Sequence, residues 1–326
     1  MAEPVRLLIL GTGTVGASIG MALGRAGQNF DRVGYDPRSQ TAQQAQKAGA
    51  VDRLVQQPAR GAGEADLVLL TLPFRQALDA AEAMAGVLRP ETVVLCTSRL
   101  QAELMEAVRE QLEPANPCLG AVPFLGPQRA LAQDGDPETP SADAFQGGLL
   151  GIVAPVGTPQ GAVEIGLDLA TILGATPFFL EPAELDSVTA TSEELPAVLA
   201  AALLESLSAN PGWRDQRRMV GRPFARLAGL LEGNPPEVAA EWVANRGPLI
   251  ARLDALAEEL ATLREFLTAE DVGALSGRLE EATERYQEWR GVRATSRPDH
   301  GVEFGDLPRI NLFERLLSGR SSKKRT

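Results

Sequence analysis

Three glycines stand in the run Gly11-Thr12-Gly13-Thr14-Val15-Gly16, and an acid, Asp36, follows at the end of the next apolar run. Those residue types at that spacing suit the holding of a dinucleotide. Gly11 permits a tight turn, Gly13 lets the backbone approach a pyrophosphate, and Gly16 lets a helix pack closely on the preceding strand. The backbone of Thr12, Thr14 and Val15 completes the loop, and the positive end of the helix dipole favours the phosphates. Asp36 is placed to take the ribose hydroxyls, and its charge favours NAD over NADP because a carboxylate repels a 2′-phosphate. Arg38, two residues on, works against that preference, so NADP stays open. Leu72 and Pro73 end another apolar run and fall on the nicotinamide side of the crevice at the strand ends. The alternative is a structural glycine turn that holds no ligand.

The elements that must position these residues alternate. VRLLIL (5–10) is a continuous apolar run, the mark of a strand buried on both faces. A helix follows the glycines and stops at Gly27. Strand-like runs at 32–35, 65–73, 92–98 and 118–125 alternate with helical spacing at 39–50, 75–88 and 100–112. A further strand at 147–155, a helix at 160–173 and a strand at 176–182 extend the series, and 126–144 reads as a loop. This alternation predicts a Rossmann-type doubly wound parallel sheet with crossover helices over 1–182. From 183 to 290 the chain reads as helix only, with long amphipathic stretches at 248–267 and 270–289. Residues 291–326 read as an arm with one short helix at 308–317 and a basic tail, Arg320–Arg325.

Composition bounds the function classes. With 44% hydrophobic and 23% charged residues, the 326-residue chain can bury a large core. A formal net charge of −12 argues against a general nucleic-acid binder. No apolar run reaches the ~18 residues of a membrane helix. The start, Met1-Ala2-Glu3-Pro4, has no basic leader or small-residue cleavage site, so a cytoplasmic location is expected. Cys96 and Cys118 are well separated, make no metal pattern and read as small buried residues.

The order of pieces resembles the prephenate/arogenate dehydrogenase family of tyrosine biosynthesis. The matching text is GTGTVGASIGMAL (11–23), VGYDP (33–37), ADLVLLTLP (65–73), LDSVTATSEELPAVLAAAL (185–203), WRDQRRMV (213–220) and NPPEVAAEWVANR (234–246). The resemblance implies a homodimer built by the helical half, which closes the substrate site against the Rossmann domain. It implies oxidation of a ring alcohol by hydride transfer to NAD(P)⁺ with loss of carbon dioxide. Such chemistry needs a base, usually a histidine, and a cation for the substrate carboxylates.

Several family residues are replaced. The family's His-Pro motif with its following glycine matches Val122-Pro123-Phe124-Leu125-Gly126, which puts valine at the catalytic histidine. Its His-Asp pair matches Leu185-Asp186, and its Ser-His-Leu-Pro matches Glu193-Glu194-Leu195-Pro196. Its Asp…Ser…Lys text matches loosely around Cys96, Thr97, Ser98 and Arg99. What survives is an arginine helix with Arg214, Arg217 and Arg218, of which Arg218 aligns with the substrate arginine, together with Asn245 and Arg246. The sole histidine, His300, stands in the polar C-terminal arm.

By resemblance, then, Glu194 and Ser98 are the catalytic candidates, and Arg214, Arg217 and Arg218 the binders of an anionic or hydroxy-acid substrate. The plain alternatives are an acid pair at a helix start facing water and a solvated arginine face. If Glu193 and Glu194 face substrate, like charges about 4 Å apart at an effective dielectric near 20 repel by roughly 4 kcal/mol, which favours a substrate with fewer negative charges than prephenate. Two functional readings stand: an NAD(P)-dependent dehydrogenase with an altered substrate, and a catalytically silent dinucleotide binder acting as sensor or partner. A pyrroline-carboxylate or hydroxyacid type of reductase shares the Rossmann start but not the later text.

Overall fold

A computed structural model of the chain describes residues 4–27, 29–112, 114–132 and 139–295. His300, the helix expected at 308–317 and the basic tail lie outside the described residues. The chain divides into two compact units: the residues up to Pro182 with the segment from Thr283 on, and Ala183–Ala282.

The first unit is built on an eight-stranded sheet: β1 (Val5–Leu10), β2 (Phe30–Tyr35), β3 (Arg53–Leu54), β4 (Leu67–Leu70), β5 (Val93–Cys96), β6 (Cys118–Pro123), β7 (Leu149–Val153) and β8 (Thr176–Phe179). Their order across the sheet is β3-β2-β1-β4-β5-β6-β7-β8, so the order reverses between β1 and β4. The central strands are apolar on both faces because helices cover both. Leu7, Ile9, Leu69 and Leu95 are wholly buried in one continuous core with Ile19, Ile152 and Leu169.

The strands from β3 to β6 run parallel, but β7 is antiparallel to β6. An unbroken parallel sheet is corrected here, and the connection gives the reason. Between Pro123 and Leu149 the described chain has only the short helix Pro127–Ala130. A parallel return needs a crossover of a dozen or more residues, usually a long helix. The chain instead re-enters at the edge it left, and Phe124 N–H donates to Leu149 O at 2.9 Å. The helix Gln160–Leu173 then restores a parallel step from β7 to β8 and ends on Gly174 in the left-handed region. The two-residue β3 went unseen in the sequence, being too short for alternation to register, and the helix expected to 88 ends at Met84.

The second unit is helical. The helix Pro182–Thr189 passes into a π-helical turn, Ala190–Glu194, and on into Leu195–Ser208. Short helices at Trp213–Gln216, Arg222–Ala228 and Pro235–Ala244 lead to Arg246–Thr268, and the last helix, Val272–Thr295, returns the chain to the first unit.

Candidate functional site

The register of the sheet assembles the first cluster. Leu10 pairs with Tyr35 on one side and Leu70 on the other, so Gly11, Asp36 and Thr71 leave their strands at one level. Gly11 N–H donates to Tyr35 O at 2.8 Å, and Gly11 has φ +97°. A Cβ there would stand 2.6 Å from Thr71 O, so both the conformation and the space demand glycine. A Cβ on Gly16 would overlap Gly11 O and Thr71 Oγ1, which itself donates to Gly11 O and to Leu10 O. Gly13 differs: among the described residues, a Cβ on it would meet nothing within 4 Å. Its openness is not a packing need, and it leaves the loop's outer face clear for a ligand.

The helix that follows, Thr14–Arg25, starts from Gly13 with no side-chain cap and no acid in its first turn. No acid of the helix's own first turn therefore offsets its dipole end. Asp36 closes the cluster. Its carboxylate is buried and accepts from Thr12 N–H at 2.9 Å and from Arg38 N–H at 3.0 Å. The Arg38 side chain is 75% exposed, with Nε 3.7 Å from Asp36 Oδ1, a loose pair that water screens. Leu72 is buried and Pro73 caps the helix Phe74–Met84 at the end of β4. The loop, the acid and the β4 end thus come together at the topological switch point, where open α/β sheets bind ligands. The residues present fit a dinucleotide: an open glycine, an uncapped helix start and an acid tied to the loop.

Further along the same edge, Val122 lies fully buried inside β6, paired with Gly151. Nothing at that position can exchange a proton. Ser98 follows β5, and its Oγ accepts from Leu100 N–H at 3.3 Å, which gives it a turn-forming role. Cys96 and Cys118 are both buried, and complete burial pushes the Cys96 thiol up to about 12.

The second cluster belongs to the helical unit. Glu193 and Glu194 read as one acid pair in the sequence, but the fold separates them: Glu193 is exposed and Glu194 is 5% exposed. The π turn does this. Pro196 has no N–H to donate to Ser192 O, so the helical ladder slips there. Leu195 N–H reaches back five residues to Ala190 O, and the turn carries Glu194 inward. Asn245 Nδ2 donates to Glu194 Oε2 at 2.7 Å and to Asp186 O at 3.0 Å. Among the described residues, Glu194 Oε1 is buried with no hydrogen-bond partner. Burial pushes this carboxyl up to about 7, the Asn245 hydrogen bond pulls it down, and nearby Glu241 and Asp186 push it further up.

The arginines are arranged differently. Arg214 lies in the four-residue helix Trp213–Gln216, while Arg217 and Arg218 fall in the turn after it, so the expected arginine helix is corrected to a single turn. All three are exposed, and the charges acting on Glu194 are acidic. Asn245 was noted in the sequence without a role, and its bond to Glu194 is visible only in three dimensions. Thr71 was missed, although a hydroxyl ending an apolar strand beside a glycine loop could have drawn attention.

Residues 19–149 match the family model described as the nucleotide-binding domain of prephenate dehydrogenase. The chain is 23% identical over 304 residues to the cyclohexadienyl dehydrogenase of Zymomonas mobilis, covering 91% of this chain and 97% of that one. It is 24% identical over 255 residues to the prephenate dehydrogenase of Lactococcus lactis, covering 74% and 68%. Among solved structures, it is similar to prephenate dehydrogenase from A. aeolicus in complex with hydroxyphenyl propionate and NAD⁺, with TM-score 0.76 at 19% identity, covering 88% of this chain and 99% of that one. Synechocystis arogenate dehydrogenase follows the same fold, with TM-score 0.67 at 17% identity over 87% and 100%.

Proposed function

Because the chain belongs to the prephenate/arogenate dehydrogenase family, we propose that it is an NAD(P)-dependent dehydrogenase that oxidises a cyclic hydroxy acid, with Glu194 as its base. The observation that carries this is the buried Glu194 carboxyl, its pKa raised to about 7, at the position that matches a family histidine, with one oxygen unpartnered among the described residues. A general base works best when its pKa lies near the operating pH. Valine at 122 removes one imidazole, and Glu194 offers a replacement acceptor for the alcohol proton at Oε1. Asn245 positions it by binding Oε2. When bound, NAD(P)⁺ supplies the hydride acceptor. Gly13 leaves room for its pyrophosphate, and Asp36 takes its ribose hydroxyls, which favours NAD.

The acidic surroundings of Glu194 disfavour a second substrate carboxylate, so arogenate, with its compensating ammonium group, suits this chain better than prephenate. Steady-state assays with prephenate, arogenate and a panel of hydroxy acids test the proposal. Turnover should rise with pH through about 7 as Glu194 ionises. Glu194→Gln should lower kcat by about 10²- to 10⁴-fold. No NAD(P)H from any of these substrates at high enzyme concentration overturns it.

One observation favours a second reading. Val122 is wholly buried in β6, where the family has a histidine. A silent dinucleotide-binding member predicts NAD binding by calorimetry without turnover. In either reading the assembly is a homodimer through the helical unit. That unit exposes Val243, Ile250, Leu260, Leu267 and Val272, each more than half accessible, and an isologous two-fold is the commonest way to cover such faces. A monomeric mass at micromolar concentration contradicts it.

A further inference from the structure

One peptide bond of the glycine loop is gripped from both sides, and the grip crosses three neighbouring strands, β2-β1-β4. In a trans peptide the C=O and the N–H point in opposite directions. At the Gly11–Thr12 bond the carbonyl of Gly11 turns toward β4 and accepts from the Thr71 hydroxyl. The Thr12 N–H therefore turns toward β2, where it donates to Asp36 Oδ2 at 2.9 Å. The Thr71 hydroxyl also lies 3.0 Å from Leu10 O, but it carries only one proton. Leu10 O already accepts the Thr71 N–H at 2.7 Å, so the hydroxyl proton goes to Gly11 O, the nearer oxygen. The hydroxyl sits in a slot that two glycines leave open. A Cβ on Gly11 would stand 2.8 Å from Thr71 Oγ1, and one on Gly16 would stand 2.5 Å from it.

We propose that Thr71 is a positioning residue for cofactor choice: its hydroxyl, acting through the Gly11–Thr12 peptide, sets the carboxylate of Asp36 for the ribose hydroxyls of a dinucleotide. This role rests on the dinucleotide reading of the glycine loop. Asp36 is the residue to steer, because its carboxylate is buried and its two oxygens are held separately. Oδ2 takes the Thr12 N–H, and Oδ1 takes the Arg38 N–H at 3.0 Å. A carboxylate offers about four lone-pair sites, so each oxygen keeps one for a hydroxyl. The Thr12 hydroxyl, 3.5 Å from Oδ2, is too far to fix it. Removing the Thr71 hydroxyl lets the peptide turn, and Oδ2 then loses its anchor. A cofactor with a free 2′-hydroxyl suffers, whereas a 2′-phosphate, which Asp36 repels, loses nothing. A general loosening of the loop acts differently. It weakens NAD and NADP alike, since both present the same pyrophosphate.

The test is calorimetric titration of the full chain with NAD⁺ and with NADP⁺, with folding checked by thermal melts. Thr71→Ser and Thr71→Ala both lack the methyl, so the difference between them isolates the hydroxyl. Thr71→Ser should keep the wild-type ratio of NADP⁺ to NAD⁺ dissociation constants. Thr71→Ala should narrow that ratio about three- to tenfold, the worth of one hydrogen bond, chiefly by weakening NAD⁺. With Asp36→Ala in place, Thr71→Ala should change the ratio no further, as expected of two residues acting through one chain of bonds. If the Thr71→Ala protein does not fold, Thr71→Cys, whose thiol is a weak donor, takes its place with the same expectation. Equal losses for the two cofactors, or the same narrowing in the Asp36→Ala background, reduce Thr71 to a packing role and overturn the proposal. So does a serine variant as impaired as the alanine one. A wild type that binds NAD⁺ without preferring it also overturns the proposal, while leaving the loop a dinucleotide site. A wild type that binds neither cofactor removes the dinucleotide reading and the proposal together.

Discussion

Replacing Glu194 with glutamine isolates the consequence of its burial from any question of turnover. In the unfolded chain this carboxyl releases its proton near its ordinary 4.5, and in the folded chain near 7. Between those values the folded state holds more proton than the unfolded state, so stability falls as pH rises and the whole loss is present above about 7. A displacement from 4.5 to about 7 at ~1.4 kcal/mol per pH unit is about 3.5 kcal/mol, which solvent screening reduces to roughly 2–3 kcal/mol. Glutamine keeps the shape and still accepts from Asn245, but it never ionises. The variant should match the wild type within about 1 kcal/mol at pH 5 and exceed it by roughly 2–3 kcal/mol at pH 8.5. Urea melts read by the fluorescence of Trp213 and Trp242, both in the helical unit, measure this over the pH range. Parallel pH profiles for the two proteins would refute the inward placement of Glu194 and, with it, the proposed base.

Asn245→Ala should push the Glu194 carboxyl higher still, because the hydrogen bond that pulls it down is lost. The fall in stability, which still begins near 4.5, should then continue to higher pH in the same melts, at a cost of about 1–3 kcal/mol for the unmade bond. Gly16→Ala sets a methyl against Gly11 O and should cost about 1–3 kcal/mol or more, read as a Tm drop of several degrees. Gly13→Ala meets no neighbour, so its Tm should stay near wild type while NAD affinity measured by calorimetry falls about tenfold or more. Asp36→Asn should weaken NAD and narrow its advantage over NADP in the same titration, since the charge that repels a 2′-phosphate is gone.

The sequence by itself determined the first unit in outline. An unbroken apolar run such as VRLLIL is stable only as a strand buried on both faces, and glycine in a left-handed turn leaves little choice of loop. Local chemistry therefore announced the strand, the Gly11–Gly16 loop and Asp36, because each depends on residues close in the chain. The antiparallel β7 was hidden, since strand direction follows from the path of the connection and not from the apolar pattern of the strand.

Only the tertiary structure decided the rest. Glu193 and Glu194 are chemically alike and adjacent, yet a helical slip at Pro196 leaves one in water and carries the other inside. The pairing of Glu194 with Asn245 spans 51 residues, and the bond from Thr71 to Gly11 O spans 60. No local rule encodes such contacts, because a carboxyl or a hydroxyl acquires its acidity and its task from what the folded chain packs around it.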